Sequence, residues 1–207
     1  MLLIKQYYKA FIICLFFNVF CINSVFAHGF VVNSRADGCT TLSGLNNDCG
    51  VISGLPQYVL GLGRFPSSGP IDGKLASAEI PDFAELDIQN ENRWFKHNIA
   101  IGAIEFIWGI SISHPTTEFN YYITKPNWNP NSPLTRNSFN LTPFCNVPIN
   151  LEVIPNVVRH DCIIPSEYTG YHVIYATWDT TIESLGFYQV MDVNISETLD
   201  NIFKNGF

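Results

Sequence analysis

Ile104-Glu105-Phe106-Ile107-Trp108-Gly109-Ile110-Ser111-Ile112-Ser113-His114 alternates strictly, with Phe106, Trp108, Ile110, Ile112 and His114 on one side and Ile107, Gly109, Ser111 and Ser113 on the other. A period of two in β-branched and aromatic residues is the mark of a strand with one face in a core, and it puts His114 at the end of the apolar face, where core meets solvent. Similar runs at 118–124, 172–179 and 187–195 are bounded by Gly, Pro and Asn, the last two separated by a short polar turn. Together they predict an all-β antiparallel sandwich.

Between Cys39 and about Asn98 the chain changes character. It is rich in Gly, Pro and Ser, with a brief helix-like patch near Asp82–Asp87. This is a long excursion from the sandwich, and Leu55, Leu60, Phe65 and Phe83 predict that it is ordered.

The first 27 residues carry the three parts of an export signal: Lys5 and Lys9, an apolar run from Ala10 to Phe20, and Val25-Phe26-Ala27 with a small residue at the cut. Cleavage there predicts a secreted protein that begins at His28. It also divides the chain into a signal peptide at 1–27, one domain at 28–196 and a short C-terminal extension at 197–207. Removing the signal takes away two of the eleven basic side chains and none of the eighteen acidic ones. So acidic a protein lacks the basic patch that nucleic acid or an anionic membrane surface requires, whereas a neutral polymer remains acceptable. Cys39, Cys49, Cys145 and Cys162 remain, an even count that predicts two disulfides. Spacing favours Cys39 with Cys49 and Cys145 with Cys162, although four cysteines allow three connectivities.

A freed N-terminal His28 brings two nitrogens, its α-amine and Nδ1, which can close a chelate ring on one metal ion. A second imidazole opposite, with His114 the natural choice, completes three nitrogens in a plane. Such a tetragonal, nitrogen-rich set with open positions suits copper better than zinc or iron. His97, His160 and His172 fall in no metal-ligand spacing and are read as core or surface histidines.

The chain resembles the lytic polysaccharide monooxygenases of the bacterial and viral chitin-binding type (auxiliary activity family 10). The resemblance is carried by His28-Gly29, Gly69-Pro70-Ile71-Asp72-Gly73, Phe83-Ala84-Glu85-Leu86-Asp87, His114 through Thr116-Thr117 to Tyr122-Ile123-Thr124-Lys125-Pro126-Asn127-Trp128, Leu134-Thr135-Arg136, Leu141-Thr142-Pro143-Phe144-Cys145, Phe187-Tyr188-Gln189 and Asp192-Val193-Asn194. It implies an immunoglobulin-like or fibronectin-III-like sandwich, monomeric, holding one copper ion through His28 and His114. Phe187 would pack beside the metal's axial position, with Trp178 as a nearby buried aromatic. The implied reaction uses an external electron donor and oxygen or hydrogen peroxide to oxidise a carbon of the glycosidic linkage in insoluble chitin or cellulose, chitin favoured. Leu55, Pro56, Ser111, Thr116, Glu183 and Leu185 are the candidate substrate contacts.

The sequence also departs from that family. Where chitin-active relatives present an aromatic, an acid and a proline, it reads Gly54-Leu55-Pro56, so the expected stacking platform is absent. Leu60 stands at the place of an acidic residue near the metal, and Ile112 replaces a small one. Ile182 and Leu185 make the binding face more aliphatic. Two alternatives follow: a glycan-binding protein with little turnover, or a copper-binding or copper-delivery protein using the same N-terminal histidine. Glu85 and Asp87 are read as a solvated face or caps, and no second acid pair at a compelling spacing supports glycoside hydrolysis.

Overall fold

A computed structural model describes residues 28–149, 153–181 and 184–197. The signal segment, Glu183 and all but the first residue of the C-terminal extension lie outside the described residues. Two sheets pack face to face. The smaller contains β1 (His28–Val31), β4 (Gly102–Ile112) and β7 (Val157–Ile164), in the order β1-β4-β7. The larger runs β2 (Leu60–Leu62), β9 (Leu185–Ser196), β8 (Gly170–Thr180), β5 (Thr116–Ile123), β6 (Cys145–Pro148), with β3 (His97–Ala100) also on β9. All pairs are antiparallel except β3 with β9. The expected all-β, immunoglobulin-like sandwich is the architecture observed. Among the described residues no helix is long and apolar enough to cross a membrane.

The alternation read in β4 holds for Phe106, Trp108 and Ile110, which point into the inter-sheet core. It fails one step later: β4 ends at Ile112, which is 36% exposed. Pro115 supplies no backbone N–H, and here the chain crosses from the small sheet to the large one, so His114 lies on the crossover and not on the strand.

Alternation is nearly absent in β8 and β9, which are buried on both faces. On the inner face Ile174, Ala176, Trp178 and Phe187 meet the small sheet. On the outer face Val173, Tyr175, Tyr188 and Val190 meet Ile52, Val59, Phe65, Leu75, Phe83 and Trp94 of the excursion. The excursion is thus a third layer with its own core. It holds three short 3-10 turns, Gly50–Gly54, Pro56–Tyr58 and Pro81–Asp87, the last at the helix-like patch read from sequence.

Two ties lock the layers. Arg35, in the short helix α1 (Arg35–Gly38), makes a fully buried bidentate pair with Asp192 of β9, at 2.6 and 2.8 Å, and donates to Leu86 O of the excursion. Cys145–Cys162 joins β6 to β7 and so crosslinks the two sheets, while Cys39–Cys49 staples α1 to the first 3-10 turn. In the inter-sheet core, Trp108 Nε1 donates to Tyr121 Oη (3.0 Å), which lies 2.6 Å from His160 Nδ1.

Burial holds His160 down to about 4 from 6.5. Between those values the unfolded chain binds the proton and the folded chain does not, so the stability that neutral His160 provides is complete above pH 6.5 and is lost as pH falls toward 4, by about 3 kcal/mol. Asp179, pushed up to about 7 by burial, acts in the opposite sense over the whole of that range. The comparison of wild type with His160→Gln in thermal melts between pH 7.5 and 4 therefore isolates the effect: the variant is expected to lack the acid-side loss, and parallel curves would refute it.

Candidate metal centre

The β1–β4 register pairs His28 with Ile112, at the last residue of β4, with a bulge between His28 and Gly29. Two residues further along, His114 begins the turn into β5. One pairing thus brings two histidines 86 positions apart in sequence to one end of the sandwich. Both are largely buried, with 9% and 7% exposure, and in each the Nε2 atom is enclosed without a hydrogen-bond partner. A buried polar atom left unpaired costs about 1–3 kcal/mol, which a metal on His114 Nε2 would relieve. His28 is held below its ordinary pKa, first by burial and then by the charge of His114, so its ring stays neutral and its lone pair available near neutral pH. No group of three His, Cys, Asp or Glu side chains converges among the described residues.

Beneath the pair, Phe119, Trp178, Phe187 and Leu60 form one row across the large sheet, each the register partner of the next. Trp178 stacks on Phe187 at 4.4 Å and on Phe119 at 5.8 Å. Gly29 lies directly on this row: a Cβ there would come within 2.8 Å of Trp178 and of Ile110. Leu60 packs on the inter-sheet core beside Phe187 and forms an apolar wall there.

Two candidate substrate contacts are corrected. Thr116 is fully buried: its Oγ1 accepts from Trp178 Nε1 (2.9 Å) and donates to His114 O (3.0 Å), so it couples the aromatic floor to the main chain of His114. Pro56 is also buried, its carbonyl accepting from Gln189 Nε2 at 3.2 Å. Both face inward because the strand and turn that carry them are covered. Leu55 and Ser111 are exposed, Ser111 Oγ donating to His28 O, and Leu185 is half-buried.

Tyr58 was missed. The 3-10 turn Pro56–Tyr58 brings its ring to 4.1 Å from that of His28, tilted by 58°, with 36% of the residue exposed. Position 54 has no aromatic, but an aromatic face four residues later reaches His28. The only signal in sequence was a tyrosine shortly after Gly54-Leu55-Pro56, and nothing there specified the turn that swings it inward.

Residues 28–193 match the family described as lytic polysaccharide mono-oxygenase, cellulose-degrading. The chain belongs to that family. A lytic polysaccharide monooxygenase of the AA10 class from Photorhabdus luminescens superposes with a TM-score of 0.80 at 43% identity, covering 83% of this chain and all of that one. A Bacillus amyloliquefaciens CBM33 solved in complex with Cu(I) after photoreduction superposes at 0.73 with 36% identity, covering 82% of this chain and all of that one. GlcNAc-binding protein A of Vibrio cholerae is 45% identical over 179 residues, 81% of this chain, and the match spans only 37% of that relative's length. Lytic polysaccharide monooxygenases use copper as a family, and the buried imidazole pair here has the donor chemistry for it.

Gly29 tests how rigid this floor is. Trp178 is held by two stacked rings and a hydrogen bond and cannot yield as a flexible chain end can, so Gly29→Ala is expected to cost about 1–3 kcal/mol, read as a lowered melting temperature. A wild-type melting temperature would mean that the floor is soft.

Proposed function

We propose that the chain is a secreted, monomeric, copper-dependent monooxygenase that cleaves glycosidic bonds oxidatively in an insoluble polysaccharide, chitin over cellulose, using an external electron donor and oxygen or hydrogen peroxide. Its parts are a signal peptide at 1–27, the catalytic domain at 28–196 and a short extension at 197–207. The observation that carries this reading is the pair of buried, electrostatically coupled imidazoles at one end of the sandwich, with His114 Nε2 enclosed and unpartnered. The preference for chitin rests on relatives named for GlcNAc binding, although the family description names cellulose.

The α-amine and Nδ1 of a processed His28, with Nε2 of His114, would hold the ion. Bound copper would supply one-electron redox chemistry for attack on a strong carbon–hydrogen bond. Phe187, stacked on Trp178, would wall the metal site without offering a ligand atom, and Thr116 ties the main chain of His114 to Trp178. Leu60 and Ile112 are apolar and cannot move a proton. Leu55, Tyr58, Ser111, Leu185 and Glu183 would meet the polymer, with Tyr58 taking the part of stacking platform.

The aliphatic character of Leu60 and Ile112 favours one second reading, a glycan-binding protein with little turnover. Copper-loaded protein starting at His28, incubated with chitin or cellulose and a reductant, is expected to release oxidised oligosaccharides detectable by mass spectrometry. Polymer binding without such products would support the binder, and metal uptake without polymer binding a copper carrier.

A form retaining Met ahead of His28 moves the α-amine to another residue. Its copper affinity is expected to drop by more than the roughly 10–100-fold that loss of a supporting contact costs. Equal affinities in calorimetric titrations would remove the N-terminal nitrogen from the ligand set. Tyr58→Ala should weaken adsorption to chitin about 2–10-fold, the scale of one aromatic contact, while leaving the melting temperature near wild type; unchanged adsorption isotherms would leave Tyr58 outside the binding face.

A further inference from the structure

A concavity with a mixed polar lining lies away from the histidine pair. β5 starts at Thr116 beside His114 and runs to Ile123, and at about 3.3 Å per residue this puts Lys125 on the order of 25 Å away, at the other end of the large sheet. There the loops at 70–74 and 125–138 enclose a groove of about 720 Å³, lined among others by Asp72, Lys125, Asn127, Trp128, Asn129 and Asn137. That volume falls in the range of small-molecule sites, roughly 300–1,000 Å³.

The walls are fixed before any ligand arrives. Arg136 donates to the carbonyls of Pro66, Ser68 and Pro70 and to Asp72 Oδ1, clamping one loop to the other. Gly73 N donates to Leu134 O at 2.8 Å, and Thr135 and Ser138 cap the short turn between them reciprocally. Trp128 Nε1 donates to Tyr171 O at 3.0 Å, which holds the indole while the ring still borders the groove. Binding would therefore cost little loop ordering.

The lining selects a ligand class. Carboxamides donate and accept at once, an indole offers an apolar face, and the two charges present, Asp72 and Lys125, are of opposite sign. Lys125 is already engaged with Asn137 Oδ1 at 3.1 Å, and a phosphate would face the Asp72 carboxylate. The Asn127 side chain is exposed on the rim with no protein partner among the described residues. A neutral polyol with an apolar ring face fits this set, and an anion does not.

We propose that this groove is a second glycan site, taking a short soluble oligosaccharide with one pyranose ring against Trp128 and its hydroxyl or acetamido groups on Asn127 and Asp72, while Asn129 is held within the wall by Ser132 Oγ and Asn131 N. It is independent of the metal and of the histidine face. Because it lies at the far end of the sheet, it would engage a free chain end or released product while the histidine face rests on polymer.

The test is an NMR titration of isotope-labelled protein beginning at His28 with the hexamer of N-acetylglucosamine and, separately, with cellohexaose. The expected result is saturable shifts of the Asn127 and Asn129 side-chain amides and the Trp128 indole with either sugar. Affinity should weaken about fivefold in Asn127→Ala, the value of one lost hydrogen bond, and be unchanged in His114→Ala. Shifts confined to the His28 and Tyr58 end, no saturable shift, or an Asn127→Ala variant that binds like wild type would each overturn the proposal. The products assay reads the histidine face alone, so failure of either site is seen separately from failure of the other.

Discussion

The site depends on one pairing, that of β1 with β4. Antiparallel register sets His28 against Ile112, and the turn that follows β4 delivers His114 to the same end of the sandwich. A slip of one residue would turn every β1 side chain to the opposite face and carry His28 away from its partner. Gly29 reports how tightly that register is enforced, since the strand lies on Trp178 and Ile110 with no room for a side chain.

What holds the pairing in place is built from below. The row Phe119–Trp178–Phe187 gives a stiff aromatic floor, and Thr116 ties that floor to the main chain of His114. The floor belongs to strands covered on their other face by the excursion, and the excursion is anchored by the buried Arg35–Asp192 pair. A buried charge pair contributes little net stability but leaves a large penalty if one partner is removed, so it enforces one way of docking the layers.

The same covering explains which parts of the fold were readable. β4 announced itself through alternation because its outer face is wet; β8 and β9 also read as strands, but their pattern did not reveal that the excursion buries the second face. Small elements carried no usable period. β2, three residues long, and the parallel strand β3 are held by pairing to β9, so their identity lies in their neighbour. At the site, the histidines were legible from their chemistry, whereas Thr116 and Pro56 were assigned to the surface and proved to be buried.

By itself, the sequence determined the strand-rich sandwich, the acidic character and the candidate pair His28 and His114, because periodicity, charge and donor chemistry are properties of residue types. Only the tertiary structure decided that the cysteines pair as Cys39–Cys49 and Cys145–Cys162, that Tyr58 lies against His28, that Thr116 faces inward, and that a polar groove forms between loops 55 residues apart, Gly73 to Trp128. These are relations between segments distant in the chain. They are set by which surfaces the core leaves free to meet, and no local pattern encodes that.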